Sequence, residues 1–118
     1  MIGEGVRYVG AVTVPEIDVN EFAERWAEGA LVIDVREPDE YAAGHVPGAV
    51  SIPLGSVPDN VTRFRGDGPT YVICQSGGRS RRAVEFVQAE GIDAVNVDGG
   101  TGAWIAAGRD VDDGDVGA

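Results

Sequence analysis

Thr70-Tyr71-Val72-Ile73-Cys74-Gln75-Ser76-Gly77-Gly78-Arg79-Ser80 is the stretch that decides the fold of this 118-residue chain. Five residues with strand propensity run without a polar break. They meet a short glycine-bearing loop, and a helix-like run follows at once. A buried strand that feeds directly into a helix is the joint of a parallel α/β sheet, in which the carboxyl ends of the strands form the ligand crevice. Cys74, the only cysteine, lies at that end. Two glycines let the backbone amides after it turn inward, and the helix brings its positive pole to the same point. A free thiol titrates at about 8.5, whereas one at a helix N-terminus among inward amides is substantially ionised. The pattern predicts a nucleophilic thiolate.

Working outward, apolar runs alternate with helical patterns. Val9–Val14, Leu31–Val35, Ala49–Ile52, Thr70–Cys74 and Ala94–Val97 read as strands. Asp18, with Glu21 three residues on, caps a predicted helix that places Val19, Phe22, Ala23 and Trp26 on one face and stops at Gly29. Pro38, with Glu37, Asp39 and Glu40, suits a first helical turn ending at Gly44. Gly55–Phe64 reads as a short helix. Ser80–Glu90 reads as a helix with Ala83, Val84, Phe86 and Val87 inward, and Thr101–Ala107 as a last helix carrying Trp104. Trp26 and Trp104 are expected in the core. The expected fold is therefore α/β, a mostly parallel five-stranded sheet with helices on both faces. Residues 1–108 should form one domain, and the acidic segment 109–118 should stay solvated and disordered.

Composition narrows the function classes. Twenty acids face nine bases, all arginine, for a net charge of −11. This argues against nucleic acid and anionic membranes as partners. An acidic chain without lysine reads as a protein adapted to molar salt, where self-repulsion is screened, ahead of a moderately acidic mesophilic one; salt adaptation predicts unfolding midpoints that rise with salt. One cysteine excludes an internal disulfide and multi-cysteine metal sites, and no cofactor is implied. With no basic-then-apolar leader at Met1–Val12 and no long apolar run, a cytoplasmic, soluble protein is expected.

The loop Cys74–Ser80 resembles the active-site loop of rhodanese sulfurtransferases. So do Ile33-Asp34-Val35-Arg36-Glu37, Glu40-Tyr41, Gly44-His45-Val46-Pro47-Gly48-Ala49, Ile52-Pro53-Leu54, and Asp98-Gly99-Gly100 with Trp104, in the family's order and spacing. The resemblance implies a single-domain sulfurtransferase in which Cys74 accepts a sulfane sulfur and the amides of Ser76, Gly77, Gly78, Arg79 and Ser80 hold the resulting persulfide. Thiosulfate is an often-used donor in that family and cyanide a test acceptor. Six residues from Cys74 to Arg79 match its sulfur-transferring members, whereas related phosphatases and arsenate reductases have one more. Gln75 stands where thiosulfate-using relatives often carry a basic residue, so glutathione persulfide, a polysulfide or a protein sulfur-relay partner stands beside thiosulfate as donor. A cyanide or thiol acceptor completes the cycle, and Gly78 makes the loop permissive.

Arg79 is a candidate for bonds within the loop or to an anionic donor, and Arg82 for steering anions or for pairing with a surface acid. Asp34 and Arg36 read as a buried structural pair near the crevice, with donor binding as the other reading for Arg36. His45, the only histidine, reads as a structural turn residue, because a low-pKa thiolate needs no base. The competing class is a non-catalytic docking or persulfide-carrier module.

Overall fold

The structure, a computed structural model, describes residues 13–114. Its elements are β1 (Glu16–Ile17), α1 (Val19–Ala27), β2 (Val32–Asp34), α2 (Pro38–Ala43), β3 (Val50–Ser51), a 3₁₀ segment (Leu54–Phe64), β4 (Thr70–Ile73), α3 (Gly78–Ala89), β5 (Ala94–Val97) and α4 (Gly100–Ala106). The five strands pair in the order β1-β5-β4-β2-β3, all parallel. This is the expected α/β sheet.

Alternation along each strand sends neighbouring side chains to opposite faces, and each face has its own core. Ile33, Val72, Cys74 and Ala94 join Ala83, Val84 and Val87 of α3 and Val57 and Phe64 of the 3₁₀ segment. Val32, Tyr71, Ile73 and Val97 join Phe22 of α1, Tyr41 of α2 and Trp104 of α4. In the second core Trp104 meets Phe22 and Trp26 edge-on, with ring centroids 5.5 and 5.2 Å apart. Asp18 caps α1, its Oδ1 accepting from the Glu21 amide at 2.9 Å.

Four expectations need correction. The first strand is Glu16–Ile17 rather than a run ending at Val14; residues 9–12 lie outside the described residues. Its position is set by β5, because the amides of Asn96 and Asp98 donate to the carbonyls of Pro15 and Ile17. Phe86 is 41 % exposed, since the buried stripe of α3 runs through Ser80, Ala83, Val84 and Val87 and leaves Phe86 off it. The Gly55–Phe64 helix is a 3₁₀ segment containing Pro58 and broken at Asn60 (φ −132°, ψ 23°). The start of the acidic segment is exposed but tied down. The His45 and Asp112 backbones exchange two hydrogen bonds of 2.8 and 2.9 Å, the Gly114 amide donates to Ala42, and the Trp104 indole donates to the Asp110 carbonyl. Residues 115–118 lie outside the described residues. Among the described residues no helix is long and apolar enough to cross a membrane.

Candidate active site

Cys74 follows the last residue of β4 and is 1 % exposed. The loop's shape comes from the far side, where α4 docks. The amide and hydroxyl of Thr101 donate to the Cys74 carbonyl at 2.8 and 3.0 Å, and the Gly102 amide donates to the Gln75 carbonyl at 3.0 Å. In a trans peptide the N–H points opposite its carbonyl, so holding these two carbonyls toward α4 turns the amides of Gln75 and Ser76 away from it. Only glycine permits that approach. A Cβ on Gly100, whose φ is +58°, would lie 2.5 Å from the Cys74 oxygen and 2.7 Å from Gln75 backbone atoms. Trp104, buried in the second core one turn on, anchors the helix that makes these contacts.

Gly77, at φ +113°, caps α3 and bends the loop back so that its amide donates to Cys74 Sγ at 3.1 Å. Ser80, in the first turn of α3 and fully buried, brings its Oγ to 3.2 Å from the same sulfur. Burial pushes the Cys74 thiol up. Hydrogen bonds from the Ser80 hydroxyl and from the amides of Ser80, Gly77 and Ser76 outweigh it, so the net shift is downward. Gln75, Ser76 and Gly78 are exposed and form the rim.

Two arginines stand beside this loop. Arg36 is buried and forks onto Asp34, with Nη2 2.8 Å from Oδ2 and Nε 3.0 Å from Oδ1. Its remaining donors reach the Gly44 carbonyl at 2.8 Å and Gln75 Oε1 at 3.2 Å, so one guanidinium ties β2, the end of α2 and the loop together. Arg79 does not bond within the loop, contrary to one expectation. Its guanidinium is forked onto Glu40 at 2.7 and 2.9 Å. The Arg79 hydrogen bonds and the Glu37 amide, which donates to Glu40 Oε1, hold the Glu40 carboxyl well below its ordinary range, at about 2. The Glu40 hydrogen bond in turn raises Arg79.

His45 is fully buried and stacked on Tyr41 at 3.7 Å. Its Nδ1 lies 2.8 Å from the Tyr41 carbonyl, which can only accept, so that nitrogen carries the proton. The ring is thereby committed to the turn. Arg82 is exposed on α3 next to Arg81, whose Nη1 lies 3.5 Å from Glu16 Oε2.

Sequence reasoning passed over four residues that shape the site: Asn96, Glu16, Thr101 and, as partner of Arg79, Glu40. Asn96 carried a signal. It is the one polar residue in Ala94–Val97, and a polar side chain in a buried strand requires partners. It finds Ser80, Glu16 and the Gly77 carbonyl.

Comparison with known proteins agrees with this geometry. The profile of the Rhodanese-like domain matches residues 18–107. The thiosulfate sulfurtransferase GlpE of Pseudomonas entomophila is 40% identical over 79 residues, 66% of this chain and 72% of that protein. Among solved structures, a rhodanese-like domain protein from Staphylococcus aureus superposes with a TM-score of 0.76 at 35% identity, covering 86% of this chain and 99% of the other. The human single-domain sulfurtransferase TSTD1 gives 0.72 at 25% identity, over 80% and 97%. With a parallel sheet that delivers one cysteine into a six-residue loop at the head of a helix, the chain belongs to the rhodanese-like domain family.

Proposed function

We propose that the protein is a sulfurtransferase that carries a sulfane sulfur on Cys74. The observation that supports this most directly is the sulfur's placement, with the Gly77 amide at 3.1 Å and the Ser80 hydroxyl at 3.2 Å, inside a loop whose rim is open to solvent. The Cys74 thiolate attacks the outer sulfur of thiosulfate. The S–S bond of the donor breaks, sulfite leaves with the bonding pair, and Cys74 holds a persulfide. With glutathione persulfide the leaving group is the glutathione thiolate. An acceptor such as cyanide or a thiolate then attacks the terminal sulfur, and Cys74 departs as thiolate. The terminal persulfide sulfur is anionic, and the inward amides together with the α3 dipole stabilise it without reorganisation. A six-residue cradle favours a single sulfur over a tetrahedral phosphate or arsenate.

The Glu40–Arg79 pair also bears on the donor. A guanidinium already neutralised offers an anion little net charge, and Gln75 adds none. Thiosulfate therefore finds no unpaired positive side chain in Arg79 or Gln75 to favour it over persulfide donors.

The test is intact mass after incubation with thiosulfate, glutathione persulfide or polysulfide in separate reactions, with Cys74→Ser as control. The expected result is a gain of one sulfur atom on the wild type alone, removed by cyanide as thiocyanate. Absence of sulfur uptake from all three donors overturns the proposal in favour of a docking module.

A further inference from the structure

Ser80 has one hydroxyl proton and two neighbours to receive it, Cys74 Sγ at 3.2 Å and Asn96 Oδ1 at 2.5 Å. The Asn96 amide is not free to turn. Its Nδ2 lies 2.7 Å from Glu16 Oε2 and 3.2 Å from the Gly77 carbonyl. A carboxylate and a carbonyl only accept, so reversing the amide would set oxygen against oxygen at both contacts. Oδ1 must therefore face Ser80, and it can only accept from it.

Two arrangements follow. When Cys74 is a thiol, its S–H donates to Ser80 Oγ, and the Ser80 hydroxyl donates to Asn96. When Cys74 is a free thiolate, the hydroxyl turns to the sulfur and Asn96 Oδ1, fully buried, loses its donor. When Sγ is bonded to a second sulfur, the charge sits on the terminal atom within the amides. Sγ then makes little demand on the hydroxyl, which returns to Asn96.

We propose that Asn96, oriented by Glu16, is a positioning residue that competes with Cys74 for the Ser80 proton and so biases the cysteine toward its neutral and sulfur-bearing forms over the free thiolate. The sulfur-bearing half of this statement rests on the function proposed above; the thiol half does not. The same competition keeps the thiolate a stronger nucleophile than a fully satisfied one, because nucleophilicity falls with thiol pKa.

The charged groups surrounding this chain of contacts are Glu16 with Arg81 at β1 and α3, Asp98 directly after β5, Asp34 at the end of β2 with Arg36 beyond it, and Glu40 with Arg79 across α2 and α3. None is altered in the variants Asn96→Leu and Ser80→Ala. The pH profile of Cys74 alkylation by iodoacetamide, checked by thiolate ultraviolet absorbance, should shift in opposite directions. Asn96→Leu lowers the half-ionisation pH by roughly one unit, the scale of one hydrogen bond to a charged group, and Ser80→Ala raises it. In a Ser80→Ala background, Asn96→Leu should no longer move the profile.

An unchanged or raised half-ionisation pH in Asn96→Leu overturns the proposal, as does a shift that persists without Ser80. Should the variants not fold, the wild type supplies the test by NMR. The Asn96 side-chain amide resonances should titrate together with Cys74 and stop doing so once Cys74 is alkylated; a pH-independent amide overturns the proposal. Neither readout uses a sulfur donor. Failed sulfur loading with the opposite shifts intact therefore removes the proposed function and the sulfur-bearing half while the thiol half stands, and normal loading without them removes this inference alone.

Discussion

Arg36 and Arg79 flank the same loop, and each is forked onto a carboxylate. The Arg36–Asp34 side chains are 3% and 0% exposed, whereas Arg79–Glu40 are 36% and 32% exposed. The difference in burial gives the same chemistry two roles. In the interior the desolvation cost of the charges is recovered only while every donor and acceptor is met, and Arg36 meets this by also bonding Gly44 and Gln75. At the surface water competes for both partners, so the pair contributes little stability and can open. Arg36 is a brace, and Arg79 is a charge held in reserve.

The largest expected effect breaks the brace. Arg36→Met leaves Asp34 buried without its counter-ion and should cost about 3–5 kcal/mol, read as a lower urea midpoint. Arg36→Lys should recover only part, because one ammonium cannot reproduce a fork that reaches Asp34, Gly44 and Gln75 together. Arg79→Gln should cost no more than about 1 kcal/mol. Equal losses at the two arginines would erase the distinction.

Kinetics sharpen it. With Arg79→Gln, Glu40 stands alone beside the loop, and KM for thiosulfate should rise roughly three- to tenfold; with Glu40→Gln the guanidinium is released and KM should fall by a similar factor. Both changes should shrink at high salt. Changes of the same sign in the two variants would show that the pair shapes the loop rather than its field.

The pH dependence is smaller. Glu40 is held at about 2 in the folded protein against an ordinary 4.5, a depressed carboxyl. Such a group stabilises the fold above its unfolded value and loses that contribution as pH falls from about 4.5 to about 2. Wild type and Glu40→Gln should therefore differ by up to about 1 kcal/mol at neutral pH and converge in acid. A difference that persists at pH 2 would place its origin in packing or helix capping.

The two arginines also mark how far the sequence could be read. Asp34-Val35-Arg36 sits at the end of an apolar strand, and buried ionic groups need near partners, so that pair is legible from two residues of one segment. Arg79 and Glu40 lie 39 residues apart and meet only because α2 and α3 converge. Nothing local in Glu40 distinguishes a partner of Arg79 from an ordinary first-turn acid. The alternation of strands and helices along the chain and the cysteine's position at a strand end follow from period and punctuation. What did not follow is contact between elements: Thr101 and Gly102 holding two loop carbonyls, Gly100 allowing their approach, and Asn96 reaching Ser80. Phe86 was misassigned for a related reason, because an apolar residue beside a helical stripe is counted inward until the stripe's width is known.

The smallest expected effect asks whether the brace reaches the chemistry. Arg36 Nη1 donates to Gln75 Oε1 at 3.2 Å, a long bond to an exposed residue directly after Cys74. Gln75→Ala removes it and leaves the bonds to Asp34 and Gly44 in place, so stability should fall by only about 0.5 kcal/mol. The Gln75 backbone stays fixed by Gly102, which means the Cys74 amide cradle should keep its shape and the pH profile of alkylation should not move. If the profile does move, the side-chain bond to Arg36 positions the loop. The buried pair would then act on the thiolate directly, and the division between brace and reserve charge would have to be redrawn.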